Sequence, residues 1–218
     1  MAVVFKSRLE AGQQLAEKLK KYKENAIVLA IPRGGVVVGA EIARKLKCPL
    51  DVIITRKMGA PNNPELAIGA TTSKGGLVLD RELIDRLGVT QAYLHREHLE
   101  QIAEARRREK LYLPAVRQGL GGQEPEILGK RAILVDDGIA TGATIEAAVN
   151  AIKESFPEKI IVAVPVAPSE IVAELRKMVD DLIVLATPDP FFAIGEFYED
   201  FPQVTDEEVI SLLQKIDK

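Results

Sequence analysis

The sequence predicts an α/β fold on a doubly wound, mostly parallel sheet in three layers. Two observations carry this. Short apolar runs (Ala26 to Ile31, Asp51 to Thr55, Ile133 to Val135, Lys159 to Pro165, Leu182 to Ala186) alternate with stretches of helical character, and runs of this kind mark strands buried on both faces. Strand–helix alternation with right-handed crossovers then gives parallel pairing. Three of the runs lead into polar clusters, Pro32-Arg33-Gly34-Gly35, Arg56-Lys57 and Asp136-Asp137-Gly138. The carboxyl ends of the strands are where the crevice of such a sheet opens. A chain of 218 residues, 47% hydrophobic, suffices for a single domain over 1–218 and is short for two.

The elements follow in order. Ser7 with Glu10 reads as a capping box opening a helix to about Tyr22. The first strand and its glycine turn lead into a helix from Val36 to Lys47, stopped by Pro49. From Met58 to Pro64, Gly59, Pro61, Asn62, Asn63 and Pro64 give turn chemistry with no apolar periodicity, which reads as a mobile loop. Leu66 to Thr72 and Leu77 to Asp80 flank Ser73-Lys74-Gly75-Gly76, a hairpin signal. Arg81 to Leu87 and the heavily charged Thr90 to Leu113 read as helices, and Gly119 to Pro125 as a glycine-rich connector. Residues 58–130 are thus a loop, a hairpin and a helical insertion. Ser169 to Val179 gives a further helix, and residues 187–218 begin irregular and end in a helix from about Thr205.

Composition excludes several classes. The net charge of −3 gives no basic field for nucleic acid or anionic membrane. The single cysteine, Cys48, reads as a small buried hydrophobe and cannot form an internal disulfide. His95 and His98 lack a third ligand, and Arg106-Arg107-Arg108 alternates with acids, as a solvated face or subunit contact does. The apolar run at Met1 to Phe5 is too short for a signal peptide, so a cytoplasmic protein is expected.

The chemistry is concentrated in residues 132–147. Ile133 to Val135 ends in Asp136 and Asp137, and the small loop Gly138-Ile139-Ala140-Thr141-Gly142-Ala143-Thr144 runs straight into a helix from Ile145. Small side chains let a phosphate reach the backbone, and a helix N-terminus presents unpaired N–H groups with a positive dipole end. Thr141 and Thr144 add hydroxyl donors. Two acids beside a phosphate cradle describe a ligand with hydroxyls and a phosphate, a ribose 5-phosphate. A structural Asp-Asp-Gly turn would leave the Thr-Gly-Ala-Thr spacing unexplained. Rival phosphate loops fit badly: Gly34 and Gly39 have Walker A spacing, but Ala40-Glu41 stands where Lys-Ser/Thr must sit, and no Gly-x-Gly-x-x-Gly follows a strand.

This stretch resembles the 5-phosphoribosyl diphosphate (PRPP) motif of the type I phosphoribosyltransferases: four apolar residues, two acids, a few small residues, then Thr-Gly-x-Thr. The likeness covers roughly residues 5–57 and 130–200, and the whole chain looks most like family members whose acceptor is not assigned. The resemblance implies strand order 3-2-1-4-5-6 with strand 3, here Leu66 to Thr72, antiparallel, and makes 187–218 the small C-terminal hood. It implies that Asp136 and Asp137 bind the sugar hydroxyls, directly or through Mg2+, with Asp137 at a solvent-facing strand end. Gly138 to Thr144 would hold the 5-phosphate through the N–H groups of 139–144, and Arg33, Gly34, Gly35, Arg56 and Lys57 the pyrophosphate. Asp136, Asp137, Arg33 and Lys57 form the implied catalytic set. A cis peptide is implied at Pro32–Arg33, and closure of the loop from Met58 to Pro64 over the site.

In the hood, Phe191, Phe192, Phe197, Tyr198 and Phe201 make up half of the chain's Phe and Tyr residues. By its spacing to Gly195, Phe192 matches the family's base-stacking aromatic, and Ala140 is the other implied acceptor contact. Ala140 stands where 6-oxopurine enzymes have an acid, and Thr187 to Asp200 contains no Lys or Arg. Both departures argue against hypoxanthine and guanine and toward adenine or another amine. The implied activity is transfer of phosphoribose from PRPP to a base or amine with release of pyrophosphate, by a homodimer. A non-catalytic PRPP or nucleotide sensor on the same fold is the alternative.

Overall fold

The computed structural model describes residues 4–123 and 125–215. Met1 to Val3 of the apolar N-terminus, residue 124 of the connector and the last three residues of the hood lie outside them. Helix α1 (Arg8–Leu19) starts at Ser7, whose hydroxyl accepts from Glu10 N–H, while the Glu10 carboxylate accepts from Lys6 N–H rather than from Ser7. Strand β1 (Ala26–Ala30) leads into α2 (Gly34–Leu46), which begins at the glycines themselves. β2 (Leu50–Val52) is followed at once by β3 (Thr55–Ala60), β4 (Asn63–Thr72) and β5 (Leu77–Leu79). Helices α3 (Arg81–Leu87) and α4 (Gln91–Gly119) form the insertion. Then come β6 (Arg131–Val135), α5 (Ala143–Lys153), β7 (Lys159–Val166), α6 (Ser169–Leu175), β8 (Asp181–Ala186) and α7 (Asp206–Leu213).

The main sheet has order β2-β1-β6-β7-β8, and all of its pairs are parallel. Alternating side chains sort the core into two layers, as a period of two requires. Val28, Ala30, Ile133, Val135, Ile161 and Ala163 pack in a core shared with residues of α1, α2, α4 and α7. Ile27, Leu29, Ala132, Leu134, Ile160 and Val162 pack in one shared with α5 and α6. Full burial of each Val, Leu or Ile among them contributes about 1.5–3 kcal/mol, so both strand faces hold the three layers together.

Three expectations are corrected. The antiparallel strand does not join the main sheet. β2 is only 3 residues long, and after Ile53 N–H bonds Ala30 O at 3.0 Å the chain peels away as β3. There β4 pairs antiparallel, in a separate sheet of order β3-β4-β5. The segment from Met58 to Pro64 is the tip of this hairpin, not a loop of its own. Its turn chemistry serves the bend at Pro61-Asn62, with Asn62 at φ +64°, while Met58 and Ala60 are buried with α3 and α4. Arg56 and Lys57 accordingly lie within a strand.

Finally, α4 runs through Pro114 to Gly119, where a stop near Leu113 is expected. Tyr112, Ala115 and Val116 are buried in the main core beside Val209 and Leu213 of α7. That packing offsets the hydrogen bond a mid-helix proline removes.

Candidate active site

β1 and β6 are neighbours, yet the helices that follow them pack on opposite faces of the sheet, α2 in one core and α5 in the other. Their loops diverge and leave a crevice at the carboxyl ends, as a switch in strand order dictates. A cleft of about 620 Å³ opens there. Its wall brings together Arg33, Gly34, Arg56, Lys57, Asp136, Asp137, Gly138, Ile139, Ala140, Thr141, Gly142 and Thr144. All but three of the site residues expected from sequence converge.

The three exceptions are Gly35, Ala143 and Phe192. Gly35 packs against the end of β6, where an added Cβ would lie 2.9 Å from Val135 O and 3.0 Å from Asp136 Cα. It acts by letting α2 approach, not by lining the cleft. Ala143 occupies the first position of α5, off the wall. Phe192 is 73% exposed and does not line the cleft; Ile194 supplies the hood's contact instead.

Asp136 sits deep, and its Oδ1 accepts from Asp137 N–H at 2.8 Å. Burial pushes its carboxyl well above the usual range, and the neighbouring Asp137 charge adds to the rise, while the Lys57 charge acts the other way. Asp137 is not solvent-facing. Its Oδ2 accepts from Arg8 Nε at 2.6 Å, with the two side chains 14% and 9% exposed. Tyr198 OH donates to its carbonyl at 2.7 Å, and burial first, then the Asp137 charge, pushes the Tyr198 hydroxyl upward.

The loop after the acids is shaped by close approach. A Cβ on Gly138 would lie 2.6 Å from Ile194 Cγ2, so the hood seals directly onto it. Gly142 caps α5 at φ +82°, a left-handed value that favours glycine. The Ile139 N–H is not part of a cradle, because it donates to Val166 O at 2.9 Å. Ala143 and Thr144 precede the N–H of Glu146, which bonds Gly142 O at 2.9 Å, so theirs are among the unpaired donors of the first turn. The Pro32–Arg33 peptide is cis, as the resemblance implies.

Sequence reasoning missed Arg8, Tyr198 and one face of α4. Tyr93, Glu97, Gln101 and Arg108 all line the cleft, and their spacing of three to four places per turn sets them along one helix face. That polar stripe was readable as a pattern, but nothing in it says what it faces. Arg108 thus belongs to the cleft, although the arginine run reads as a solvated face. Burial and the Arg108 charge both lower the Arg56 guanidinium from its ordinary value. His98 bonds Thr71 Oγ1 at 3.1 Å.

Among the described residues no three His, Cys, Asp or Glu side chains converge as a metal cage. Two adjacent carboxylates in an open cleft still suit magnesium, which keeps several waters and is bound through one or two carboxylates plus substrate phosphates. No helix among the described residues is long and apolar enough to cross a membrane.

Comparison with known proteins adds the family. Residues 6–199 match the phosphoribosyl transferase domain. Two Mycobacterium tuberculosis proteins, "Putative phosphoribosyl transferase Rv0571c" and its counterpart MT0597, are 39% identical over 213 residues, or 97% of this chain. The chain spans 47% of the length of these curated relatives. The crystal structure of TT1426 from Thermus thermophilus is 41% identical, with a TM-score of 0.79 over 97% of this chain and 98% of that one.

Proposed function

The chain belongs to the phosphoribosyl transferase family, and on that premise we propose that it moves a phosphoribosyl group from PRPP to the nitrogen of a base or amine. The nitrogen bonds to C1 of the sugar as the C1–oxygen bond to pyrophosphate breaks. One observation carries the reading. An acid pair, a small-residue loop at a helix N-terminus, and Arg33, Arg56 and Lys57 all line the same open cleft.

The chemistry asks mainly for positioning and charge, because the transition state resembles an oxocarbenium ion. Asp136 and Asp137 meet the sugar hydroxyls, with the Asp137 carboxylate near the developing cation. Arg8 fixes Asp137 in place through Oδ2. Gly138, Ala140, Thr141, Gly142 and Thr144 receive the 5-phosphate, with the dipole of α5 behind them. Arg33, Arg56 and Lys57 hold the pyrophosphate as it leaves. Asp136 and Asp137 would hold magnesium, which would neutralise charge on the leaving group. Ala140 and Ile194 border the acceptor.

The test is pyrophosphate release from PRPP and Mg2+ across a panel of purines, pyrimidines and simple amines. Release that depends on one acceptor supports the reading. PRPP binding without release under any acceptor would leave a sensor, and no PRPP binding would overturn the reading.

A further inference from the structure

Helix α4 makes a chain of hydrogen bonds onto the strand that carries Arg56. Tyr93 OH donates to Gly59 O at 2.9 Å, and Gly59 N–H donates to Glu97 Oε1 at 3.2 Å. The same oxygen accepts from Gln101 Nε2 at 3.1 Å, and Gln101 Oε1 accepts from Arg56 Nε at 3.1 Å. Each residue of this chain also lines the cleft.

The arrangement has a direction. A guanidinium held by its Nε keeps its terminal N–H groups free, and these form the fork that grips phosphate oxygens. Gln101 is itself fixed by Glu97, and Glu97 by the Gly59 backbone, so Arg56 is oriented by a relay rather than by one flexible contact. Arg108 enters the cleft from the next turns of α4. Its Nε bonds Glu104 Oε1 at 2.9 Å, which again leaves the terminal N–H groups unspent. Two guanidinium groups lining one cleft repel each other until an anion sits between them.

We infer that α4 forms one wall of the diphosphate subsite, with Gln101 the positioning residue for Arg56 and Arg108 a further ligand of the same anion. This rests on the placement of pyrophosphate at Arg56 given above. It extends the site onto the helical insertion, an element outside the phosphate motif.

The test uses the intact chain and two probes, inorganic pyrophosphate and PRPP, each with Mg2+, titrated by calorimetry. Gln101→Met keeps length and helix propensity and removes both hydrogen bonds. Expected are a tenfold or greater loss of pyrophosphate affinity in Arg56→Ala, a three- to tenfold loss in Gln101→Met and in Arg108→Gln, and thermal midpoints near that of the parent protein. The double variant Arg56→Ala/Gln101→Met should bind no worse than Arg56→Ala, because Gln101 acts through Arg56. Additive losses, or full affinity in Gln101→Met and Arg108→Gln while Arg56→Ala is impaired, would overturn the inference and leave the pyrophosphate site standing. Full affinity in Arg56→Ala would instead remove the placement on which the inference rests.

Discussion

Arg8 Nε lies 2.6 Å from Asp137 Oδ2, so the first turn of the first helix holds the second acid of the pair, 129 positions away. The contact is built from three sides. Arg8 also donates to Pro202 O at 2.8 Å, and its guanidinium lies 3.6 Å from the centroid of the Phe201 ring. Phe201 in turn stacks at a tilt on Tyr198, with centroids 4.9 Å apart, and Tyr198 bonds the Asp137 carbonyl. Residues near both ends of the described chain therefore meet at Asp137, which is held through its carboxylate by Arg8 and through its carbonyl by Tyr198.

Arg8→Met should cost about 3 kcal/mol of stability, because removing one partner of a buried pair leaves the other charge uncompensated. Asp137→Asn should cost roughly 2 kcal/mol, the range of a hydrogen bond to a charged group. Urea denaturation would show both as lower midpoints at unchanged slope. PRPP affinity should fall in both, including Arg8→Met, whose side chain meets no substrate in this arrangement. Parent-like affinity in Arg8→Met would mean that Asp137 orients itself.

Gly34→Ala should damage binding more than Gly35→Ala, and for a different reason. A Cβ at Gly34 would run into the Asp137 carboxylate and lie 2.9 Å from Arg8 Nε, displacing the pair itself. A Cβ at Gly35 meets backbone at the end of β6, which must shift the whole of α2, an overpacking cost of about 1–3 kcal/mol. The expected pattern is at least a tenfold loss of pyrophosphate affinity at Gly34, and a loss chiefly of melting temperature at Gly35.

These contacts show where the sequence speaks and where it falls silent. The segment from Ile133 to Thr144 is legible because strand, acids, small loop and helix start are consecutive, so local chemistry defines the site. Arg33 and Gly34 are legible for the same reason. Arg8 is not, since an arginine at the first position of an amphipathic helix looks like any solvated one until the hood folds over it. Gln101 and Arg108 are hidden likewise, because helical spacing groups them on a face but does not say what the face meets. The hairpin tip at Pro61-Asn62 fails differently: a two-residue bend between strands and a mobile loop use the same residue types.

Asp51 gives a pH signature away from the acid pair. Burial raises its carboxyl to about 6, with Glu109 adding to the rise, while the Val52 N–H and Lys74 favour the charged form. Its folded pKa exceeds the unfolded one, near 3.9, so the folded protein keeps a proton that the unfolded chain releases. The favourable contribution is complete below the unfolded pKa and is lost as pH rises from about 4 to about 6. Asp51→Asn cannot charge. It should be more stable than the parent protein at pH 7 by up to about 2–3 kcal/mol, from a shift of roughly two units at 1.36 kcal/mol each. The gap should shrink toward pH 4. Equal stabilities at pH 7 would show that Asp51 ionises without penalty.

The acceptor preference follows from what borders the cleft beside the acids. Ala140 is exposed there and can neither accept a proton nor hydrogen-bond through its side chain. The hood wall is Ile194, and Thr187 to Asp200 contains no cation to meet an exocyclic oxygen. A 6-oxopurine in such a site leaves its carbonyl and its ring N–H desolvated without partners. Each unmade bond costs about 1–3 kcal/mol, so two together predict a discrimination on the order of a hundredfold or more. Hypoxanthine and guanine should therefore turn over at least a hundredfold more slowly, in kcat/KM, than the best acceptor without a 6-oxo group. Ala140→Asp should narrow that gap by supplying a proton acceptor where 6-oxopurine enzymes carry one. Ile194→Ala should raise KM for the acceptor, and Phe192→Ala, at an exposed position, should do so less. Robust turnover of hypoxanthine by the parent protein would refute the argument from Ala140 and leave the phosphate and diphosphate sites untouched.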